Sequence, residues 1–161
     1  MTALDRRSLV ALIALLILCL GVGILGGAVT QTAIEDWYAA LTKPAFTPPN
    51  WIFPSVWAVL YILMAVAAWR IWRTVGAPDV RRDALRMFGM QLLLNLAWPF
   101  IFFGAKSPLA ALIVILVLEF AILWTMLVFA RLDRPAAWLL APYAAWVAFA
   151  TALNAAIVAL N

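Results

Sequence analysis

The sequence contains no histidine and only one cysteine, Cys19, which lies inside an apolar run. These shortages exclude intrachain disulfides, metal sites built on histidine or cysteine, and catalysis by a serine–histidine or cysteine–histidine pair. Charged residues are also scarce, at 11% of the 161 residues, whereas about a quarter of an ordinary soluble chain is charged. The chain is therefore not a soluble domain, and no set of its residues is suited to acid–base or nucleophilic catalysis of the usual kind.

Hydrophobic residues are in excess and make up 68% of the chain. Because a membrane-spanning helix needs about 20 apolar residues, the length leaves room for about five spans and little else. We predict an all-α membrane protein, a single domain over residues 1–161 that forms a five-transmembrane-helix bundle. The predicted spans are roughly 9–29, 50–73, 84–104, 107–130 and 137–160. The first of them is too long for the apolar region of a signal peptide.

Local signals refine these spans. Asn50 is predicted to cap the second helix, with Pro54 in its first turn, and Asp79 is predicted to cap the third. Three glycines of the first span are predicted to let another helix pack closely against it inside the bundle. They are Gly23, Gly26 and Gly27.

The connection between the first two spans is the most distinctive stretch, WYAALTKPAFTPPNWIFPSVW at residues 37–57, here called the aromatic segment. It contains four prolines, which restrict its own backbone and that of the preceding residues. Its large aromatic side chains include Trp37, Tyr38, Trp51 and Trp57. We predict a rigid lid that caps a pocket; the alternative is an aromatic belt at headgroup level, where Trp and Tyr collect in any case.

The third span carries a polar stripe. Gln91, Asn95, Trp98 and Phe102 follow one another at helical spacing and share a face. Pro99 cannot donate to the carbonyl of Asn95, four residues earlier, so this carbonyl and the Asn95 amide both need partners in the apolar membrane interior. The face is either a polar anchor in a pocket or an interhelical hydrogen bond, which is common for Asn and Gln in membrane bundles.

Helical spacing defines two further faces. They are Trp57, Tyr61 and Met64 in the second span, and Trp146, Ala150 and Leu153 in the fifth. A tryptophan on a helix face more often fills the interior than lines a site. Glu119 lies at the centre of the fourth span, where a charged acid costs about 2.5–3.5 kcal/mol, so we expect it to be protonated or hydrogen-bonded.

Positive charge is distributed unevenly. Nine arginines fall on the side of the N-terminus and the second and fourth connections, whereas the other side has only Lys43 and Lys106. In a bacterial inner membrane this asymmetry places the N-terminus in the cytoplasm and the aromatic segment outside, although the rule does not apply directly to an outer membrane. The net charge of +4 is not a nucleic-acid signal, because the arginines cluster at predicted membrane edges.

Three segments make the chain similar to the translocator protein family, also called tryptophan-rich sensory proteins or peripheral-type benzodiazepine receptors. They are WYAALTKPAFTPPNWIFPSVWAVLY at 37–61, GMQLLLNLAWPFIFFGAKSPLAAL at 89–112 and PYAAWVAFATALN at 142–154. The resemblance implies a five-helix bundle, often a homodimer, whose first loop caps a pocket for porphyrins and benzodiazepine-type ligands. For some bacterial members it also implies light-dependent breakdown of protoporphyrin.

The resemblance also implies site residues. The family's pocket falls on Trp37, Tyr38, Trp51, Trp57, Asn95, Trp98, Trp146, Ala150 and Leu153. Trp57 and Trp146 are the positions associated with porphyrin breakdown, a reaction of light and oxygen that needs no metal or further cofactor. Animal members carry a Tyr and an Arg, tied to cholesterol, after the matching Leu-Asn pair; this chain has neither residue there, which puts sterol recognition of that kind in doubt.

Two functions follow as hypotheses. The first is a membrane receptor or sensor for tetrapyrroles, and the second is a small transporter of porphyrins or other amphipathic molecules. Transporters commonly contain inverted repeats and broken helices at the membrane midplane, and the sequence shows no convincing repeat. The expected partners are therefore a tetrapyrrole, membrane lipid and a second copy of the chain, with no nucleic acid.

Overall fold

The structure is a computed structural model that describes residues 5–76 and 78–161, which form helices joined by short connections. In chain order these are α1 (Arg6–Ile34), α2 (Trp37–Ala40), α3 (Ile52–Trp72), α4 (Pro78–Pro99), a π-helical turn (Phe100–Gly104), α5 (Pro108–Leu132), α6 (Arg134–Leu139) and α7 (Ala141–Leu160). Five helical segments are long and apolar enough to cross a membrane: α1, α3, α4 with the π turn, α5, and α6 with α7. The predicted all-α, five-span architecture is confirmed.

The third span begins at Pro78, earlier than the predicted start at residue 84. Proline suits the first position of a helix because its φ angle is already helical and its missing N–H would be unpaired there. Asp79 therefore lies within the first turn, and the prediction that it caps the helix is wrong. Exposed ion pairs on these turns, Arg82 with Asp79 and Arg86 with Asp83, indicate a hydrated extension of α4 beyond its apolar part.

The second span begins at Ile52, and the preceding residue is Trp51 rather than Asn50. Asn50 lies instead within a turn that is closed by a 3.0 Å hydrogen bond from the amide of Ile52 to the carbonyl of Pro49. The prediction that Asn50 caps the helix is therefore wrong. Pro54 lies in the first turn of α3, as predicted.

Two of the three glycines in α1 allow close packing, and the third does not. A Cβ atom at Gly23 would lie 2.5 Å from Cε2 of Tyr61, and one at Gly26 would lie 3.2 Å from Cγ of Pro99. These positions let α3 and α4 approach α1, which confirms the prediction for both residues. The prediction is wrong for Gly27, because a Cβ there would meet no atom within 4 Å.

The apolar interior consists of two groups of buried side chains. The larger group joins α1, α3, α4, α5, α6 and α7 through the middle of the bundle. The smaller group, here called the outer cluster, lies next to the aromatic segment and consists of Ala33, Tyr38, Phe102, Phe103, Ala111, Leu153 and Ile157. Phe102 and Phe103 are neighbours in the π turn that follows Pro99, and both are buried.

The aromatic segment is tied to the bundle at several points. Tyr38 of α2 is buried in the outer cluster, and the Lys43 ammonium donates to the carbonyls of Tyr38 (2.8 Å) and Leu41 (3.1 Å). Asn161, directly after α7, pairs with the Thr42 backbone in both directions. The Thr42 amide donates to Oδ1 of Asn161 at 2.9 Å, and Nδ2 of Asn161 donates to the Thr42 carbonyl at 3.0 Å.

Candidate ligand-binding site

A chain of hydrogen bonds connects α3, α4 and α7 in the centre of the bundle. The Tyr61 hydroxyl donates to Oδ1 of Asn95 at 2.6 Å, and Nδ2 of Asn95 donates to the Tyr143 hydroxyl at 3.1 Å. The Tyr143 hydroxyl in turn donates to Oε1 of Gln91 at 2.9 Å. All four side chains are buried. We call Tyr61, Gln91, Asn95 and Tyr143 the polar network.

The polar network supplies hydrogen-bond partners for the side chain of Asn95. Its amide uses both an acceptor and a donor within the protein, so the interhelical hydrogen bond that was the alternative interpretation is present. The network also leaves one donor over, because Nε2 of Gln91 has no hydrogen-bond partner among the described residues. A buried donor without a partner costs about 1–3 kcal/mol, so this amide is a place where an acceptor would be stabilising.

Trp57 covers the polar network from α3. Its ring stacks on Tyr61, with centroids 5.4 Å apart and planes at 29°, and meets the edge of Tyr143 at 6.1 Å. Tyr61 and Met64 are buried while Trp57 is half-buried. The predicted shared face of Trp57, Tyr61 and Met64 therefore points into the bundle.

Trp98 lies at the boundary between the two apolar groups and packs against both. Its ring stacks on Phe102 at 5.0 Å, and its Nε1 donates to Oδ1 of Asn154 at 3.2 Å. Trp37 also meets the Phe102 ring, edge-on at 5.6 Å. Trp37 and Trp98 thus belong to one aromatic layer, here meaning the rings that contact Phe102 and Phe103.

Tyr38 completes this layer from α2. Its ring lies 5.6 Å from that of Phe103 and 6.2 Å from that of Phe102. Burial raises the pKa of the Tyr38 phenol above its usual value, so the side chain is neutral throughout the physiological range. The neutral phenol suits an apolar layer that a flat hydrophobic molecule could contact.

Trp146 presents a second unpaired donor. Its ring packs edge-on against Phe53 at 5.8 Å and at a tilt against Phe149 at 5.4 Å. Its indole Nε1 is buried and has no hydrogen-bond partner among the described residues. Trp146 lies one helical turn beyond Tyr143, so α7 carries this donor next to the polar network.

A groove of about 580 Å³ runs between α3 and α7 and reaches Trp146. Its walls are apolar, and the lining residues are Ser55, Val56, Val59, Leu60, Leu63, Pro142, Ala145 and Trp146. The volume is within the range of about 300–1,000 Å³ that is typical of small-molecule sites. The groove lies on the flank of two spanning helices, so a hydrophobic molecule could reach it from the lipid.

The nine predicted site residues do not form one compact set. Asn95 belongs to the polar network and Trp57 lies against it. Tyr38 and Leu153 are members of the outer cluster, and Trp37 packs against it. Trp98 bridges the two groups, Ala150 packs against the larger apolar group, and Trp146 lines the groove. Trp51 is set apart from the others, since it is 71% exposed at the start of α3.

The sequence comparisons agree with this architecture. The profile of the TspO/MBR family matches residues 14–160. This chain belongs to the TspO/MBR family. It is 43% identical over 144 residues to the tryptophan-rich protein TspO of Chlorobaculum tepidum, covering 89% of this chain and 91% of that protein. It is also 38% identical over 154 residues to the tryptophan-rich protein TspO of Archaeoglobus fulgidus, covering 96% and 99%.

An animal relative shows the same similarity. The translocator protein of Homo sapiens is 40% identical over 119 residues, which cover 73% of this chain and 70% of that protein. The predicted resemblance is therefore confirmed, and five apolar helices together with family membership make this chain an integral, multi-pass membrane protein.

The structure shows contacts of the predicted site residues with residues that the sequence did not single out. Tyr143 and Asn154 hold Gln91 and Trp98 in place through hydrogen bonds, and Phe53 packs on Trp146. Helical spacing could have identified two of these residues, Tyr143 and Asn154. Tyr143 and Asn154 lie one turn before and about two turns after Trp146 on the same helix, so they fall close to the face that was predicted.

Glu119 lies outside this set of contacts. It is partly buried in α5, and its Oε2 atom has no hydrogen-bond partner among the described residues. The sequence predicted that Glu119 is either hydrogen-bonded or protonated. The structure shows no hydrogen bond at Oε2, so it does not support the first of these states at this atom.

Proposed function

We propose that this TspO/MBR family protein is a membrane receptor or sensor that binds a flat tetrapyrrole of the protoporphyrin type between α3, α4 and α7. The supporting observation is the pair of buried, unpaired donors, Nε2 of Gln91 and Nε1 of Trp146. Both lie beside aromatic rings that offer stacking faces, which suits a ligand with a large apolar plane and polar acceptors at its edge.

Names given to relatives support the receptor interpretation. One is the tryptophan-rich sensory protein of Cereibacter sphaeroides, 39% identical over 127 residues. The groove between α3 and α7 offers a route for such a ligand, since its walls are apolar and include Trp146. Benzodiazepine-type molecules, which are smaller and also aromatic, are expected to compete for the same site.

The binding test is a titration of the purified protein with protoporphyrin in detergent, followed by absorbance and by quenching of tryptophan fluorescence. We expect saturation at one ligand per chain. Trp146→Phe should weaken binding measurably but not abolish it, because the indole donor is lost while most of the aromatic area that would stack on the macrocycle remains. Trp138→Phe is the matched control, because Trp138 is 74% exposed on α6, away from Gln91 and the groove. Equal affinity of both variants and the unchanged protein would refute the assignment of Trp146.

We further propose that bound protoporphyrin is degraded in light and air, with Trp57 and Trp146 as the electron-donating side chains. The excited macrocycle and oxygen would supply the reactivity, and the protein would hold the macrocycle beside easily oxidised indoles. Trp57 stacks on Tyr61 of the polar network, and Trp146 lines the groove, so a molecule between α3 and α7 could contact both.

Transport is the second candidate, and the name translocator protein carried by animal relatives favours it. An uptake assay in sealed vesicles that contain the protein distinguishes the two functions. A transporter would move protoporphyrin into the lumen at a rate that depends on protein density, whereas a receptor would bind it to a fixed stoichiometry without accumulation. Time-dependent accumulation would overturn the receptor proposal while leaving the binding site in place.

A further inference from the structure

The net charge of the chain is concentrated at one end of the bundle. The end that contains the start of α1, the α3–α4 connection and the α5–α6 turn carries nine arginines against four aspartates, a net charge of +5. The opposite end carries Lys43 and Lys106 against Glu35 and Asp36, a net charge of zero. We call the first of these the arginine end.

A polar groove of about 400 Å³ opens at the arginine end, lined by Arg70, Arg73, Thr74, Leu132 and Asp133. Arg70 and Asp133 form a two-pronged ion pair inside it, with Nε to Oδ2 at 2.8 Å and Nη2 to Oδ1 at 3.1 Å. The Asp133 carboxylate is thereby neutralised and joins α3 to the α5–α6 turn. An incoming anion would thus meet no unpaired carboxylate among the residues that line this groove.

Two further guanidinium groups carry charge that no acidic residue among those described balances: that of Arg73, which lines the groove, and that of Arg81, which contacts the lining residue Thr74. Arg73 lies over the ring of Trp69 with Cζ 4.6 Å from the ring centroid, and Trp69 is itself fixed by a 2.9 Å hydrogen bond from Nε1 to the Ser8 carbonyl. Arg81 donates from Nη1 to the Thr74 carbonyl at 2.8 Å. Among the described residues, neither Arg73 nor Arg81 forms an ion pair.

The surroundings of Arg73, which follows α3, and of Arg81 differ from those of Arg82 and Arg86 in α4. Arg82 and Arg86 reach exposed aspartates one turn away, and their side chains are 62% and 70% exposed. Exposed pairs of that kind are hydrated and contribute little. Arg73 and Arg81 are instead held by an indole ring and a backbone carbonyl, which fixes their positions and leaves most of their N–H groups free.

The position of the groove across the membrane is indicated by two nearby exposed tryptophans. Trp72 ends α3 and is 39% exposed, and Trp138 of α6 is 74% exposed at the same end. Exposed tryptophans at the ends of spanning helices lie at headgroup level. The groove between Arg70 and Asp133 therefore opens among the lipid phosphates.

We infer that this groove binds the phosphate group of an anionic phospholipid. Guanidinium groups bind phosphate oxygens through paired N–H donors, and basic pockets between the ends of spanning helices are suited to anionic headgroups. Arg73 and Arg81 would supply the charge, while the Arg70–Asp133 pair would shape the groove. This site is separate from the tetrapyrrole site and does not depend on it.

The test uses the full chain in nanodiscs made of phosphatidylcholine alone or of phosphatidylcholine with phosphatidylglycerol. Melting temperature and the lipid retained in native mass spectrometry are the readouts. We expect phosphatidylglycerol to raise the melting temperature and to remain bound to the protein. Arg73→Gln should lower its apparent affinity roughly fivefold, the loss expected for one basic residue at an anionic surface.

Arg82→Gln is the matched control, because it removes the same charge from the same end of the bundle but outside the groove. An equal loss in both variants would mean that phosphatidylglycerol responds to overall charge, and the site would be refuted. Arg73→Lys keeps the charge without the planar fork and should fall between the unchanged protein and Arg73→Gln. The circular dichroism of each variant verifies that it folds; Arg73 has no ion-pair partner whose loss would unfold the chain.

A second arm separates the two sources of phosphate. Inorganic phosphate is added to the protein in phosphatidylcholine nanodiscs at constant ionic strength. No stabilisation is expected, because the free ion lacks the acyl chains that hold a lipid beside Trp72. Stabilisation equal to that by phosphatidylglycerol, and lost in Arg73→Gln, would assign the groove to a soluble anion and overturn the lipid proposal.

Discussion

Replacing Gly23 by alanine places a methyl group where the Tyr61 ring lies, 2.5 Å from its Cε2 atom. Because Gly23 is in a helix, its backbone cannot move away without disturbing α1, so the ring must shift. Overpacking of this kind costs about 1–3 kcal/mol. The Tyr61 hydroxyl donates to Asn95 at 2.6 Å, so the shift also strains a buried hydrogen bond, worth about 0.5–1.5 kcal/mol.

One effect opposes this loss. Alanine is favoured over glycine in a helix by about 0.8–1.0 kcal/mol. The overpacking and hydrogen-bond terms less this offset give an expected net destabilisation of roughly 0.5–3.7 kcal/mol. The free energy of unfolding can be measured in mixed micelles of a mild detergent and sodium dodecyl sulfate, with the helical signal as the readout.

Gly27→Ala is the matched control, one turn further along the same helix. Nothing lies within 4 Å of its added Cβ, so only the helical preference acts and this variant should be slightly stabilised. Equal effects of the two substitutions would refute the packing of Tyr61 against Gly23. Tyr61→Phe adds a second check, because without the hydroxyl the Gly23→Ala substitution should cost less by the share of the hydrogen bond.

Three other predictions concern the site and the segment above it. Asn95→Leu should weaken protoporphyrin binding and also lower the free energy of unfolding by about 1–3 kcal/mol, since it leaves the buried Tyr61 hydroxyl without its acceptor; unchanged stability would remove Asn95 from the polar network. Asn161→Ala should increase hydrogen exchange at the amide of Thr42, which loses its acceptor, with Ser55→Ala as a control that leaves this contact intact. Replacing both Trp57 and Trp146 by Phe should abolish light-dependent loss of protoporphyrin while most of the binding remains; degradation at the rate of the unchanged protein would refute their role.

Helical periodicity predicted the faces of the spans better than it predicted their ends. The stripe of Gln91, Asn95 and Trp98 is buried or half-buried as its spacing indicates, because a membrane helix can satisfy polar side chains only on the side that faces other helices. The start of α4 was predicted too late, because hydropathy detects only the apolar part of a helix. The first turns of α4, which begins at Pro78, are hydrated and therefore gave no apolar signal.

The partners of the site residues could not be predicted. Tyr61 and Tyr143 are distant from Asn95 in sequence, and their hydroxyls meet its amide only because α3, α4 and α7 pack around one point. The spacing within one helix contains no information on which residue of another helix lies opposite. The family resemblance supplied Asn95 and Trp146 as a set, but not the hydrogen bonds that orient them.

The contact between Thr42 and Asn161 changes how freely the aromatic segment can fluctuate. The first part of the connection from α1 to α3 is already fixed by Tyr38, which is buried in the outer cluster. The bidentate contact at Thr42 adds a second fixed point, which shortens the remaining loop before α3 and reduces its accessible conformations. Part of the conformational entropy of the segment is thus already lost in the free protein. A ligand that bound beneath the segment would have less entropy to offset. The end of α7 would then contribute to the residence time of that ligand.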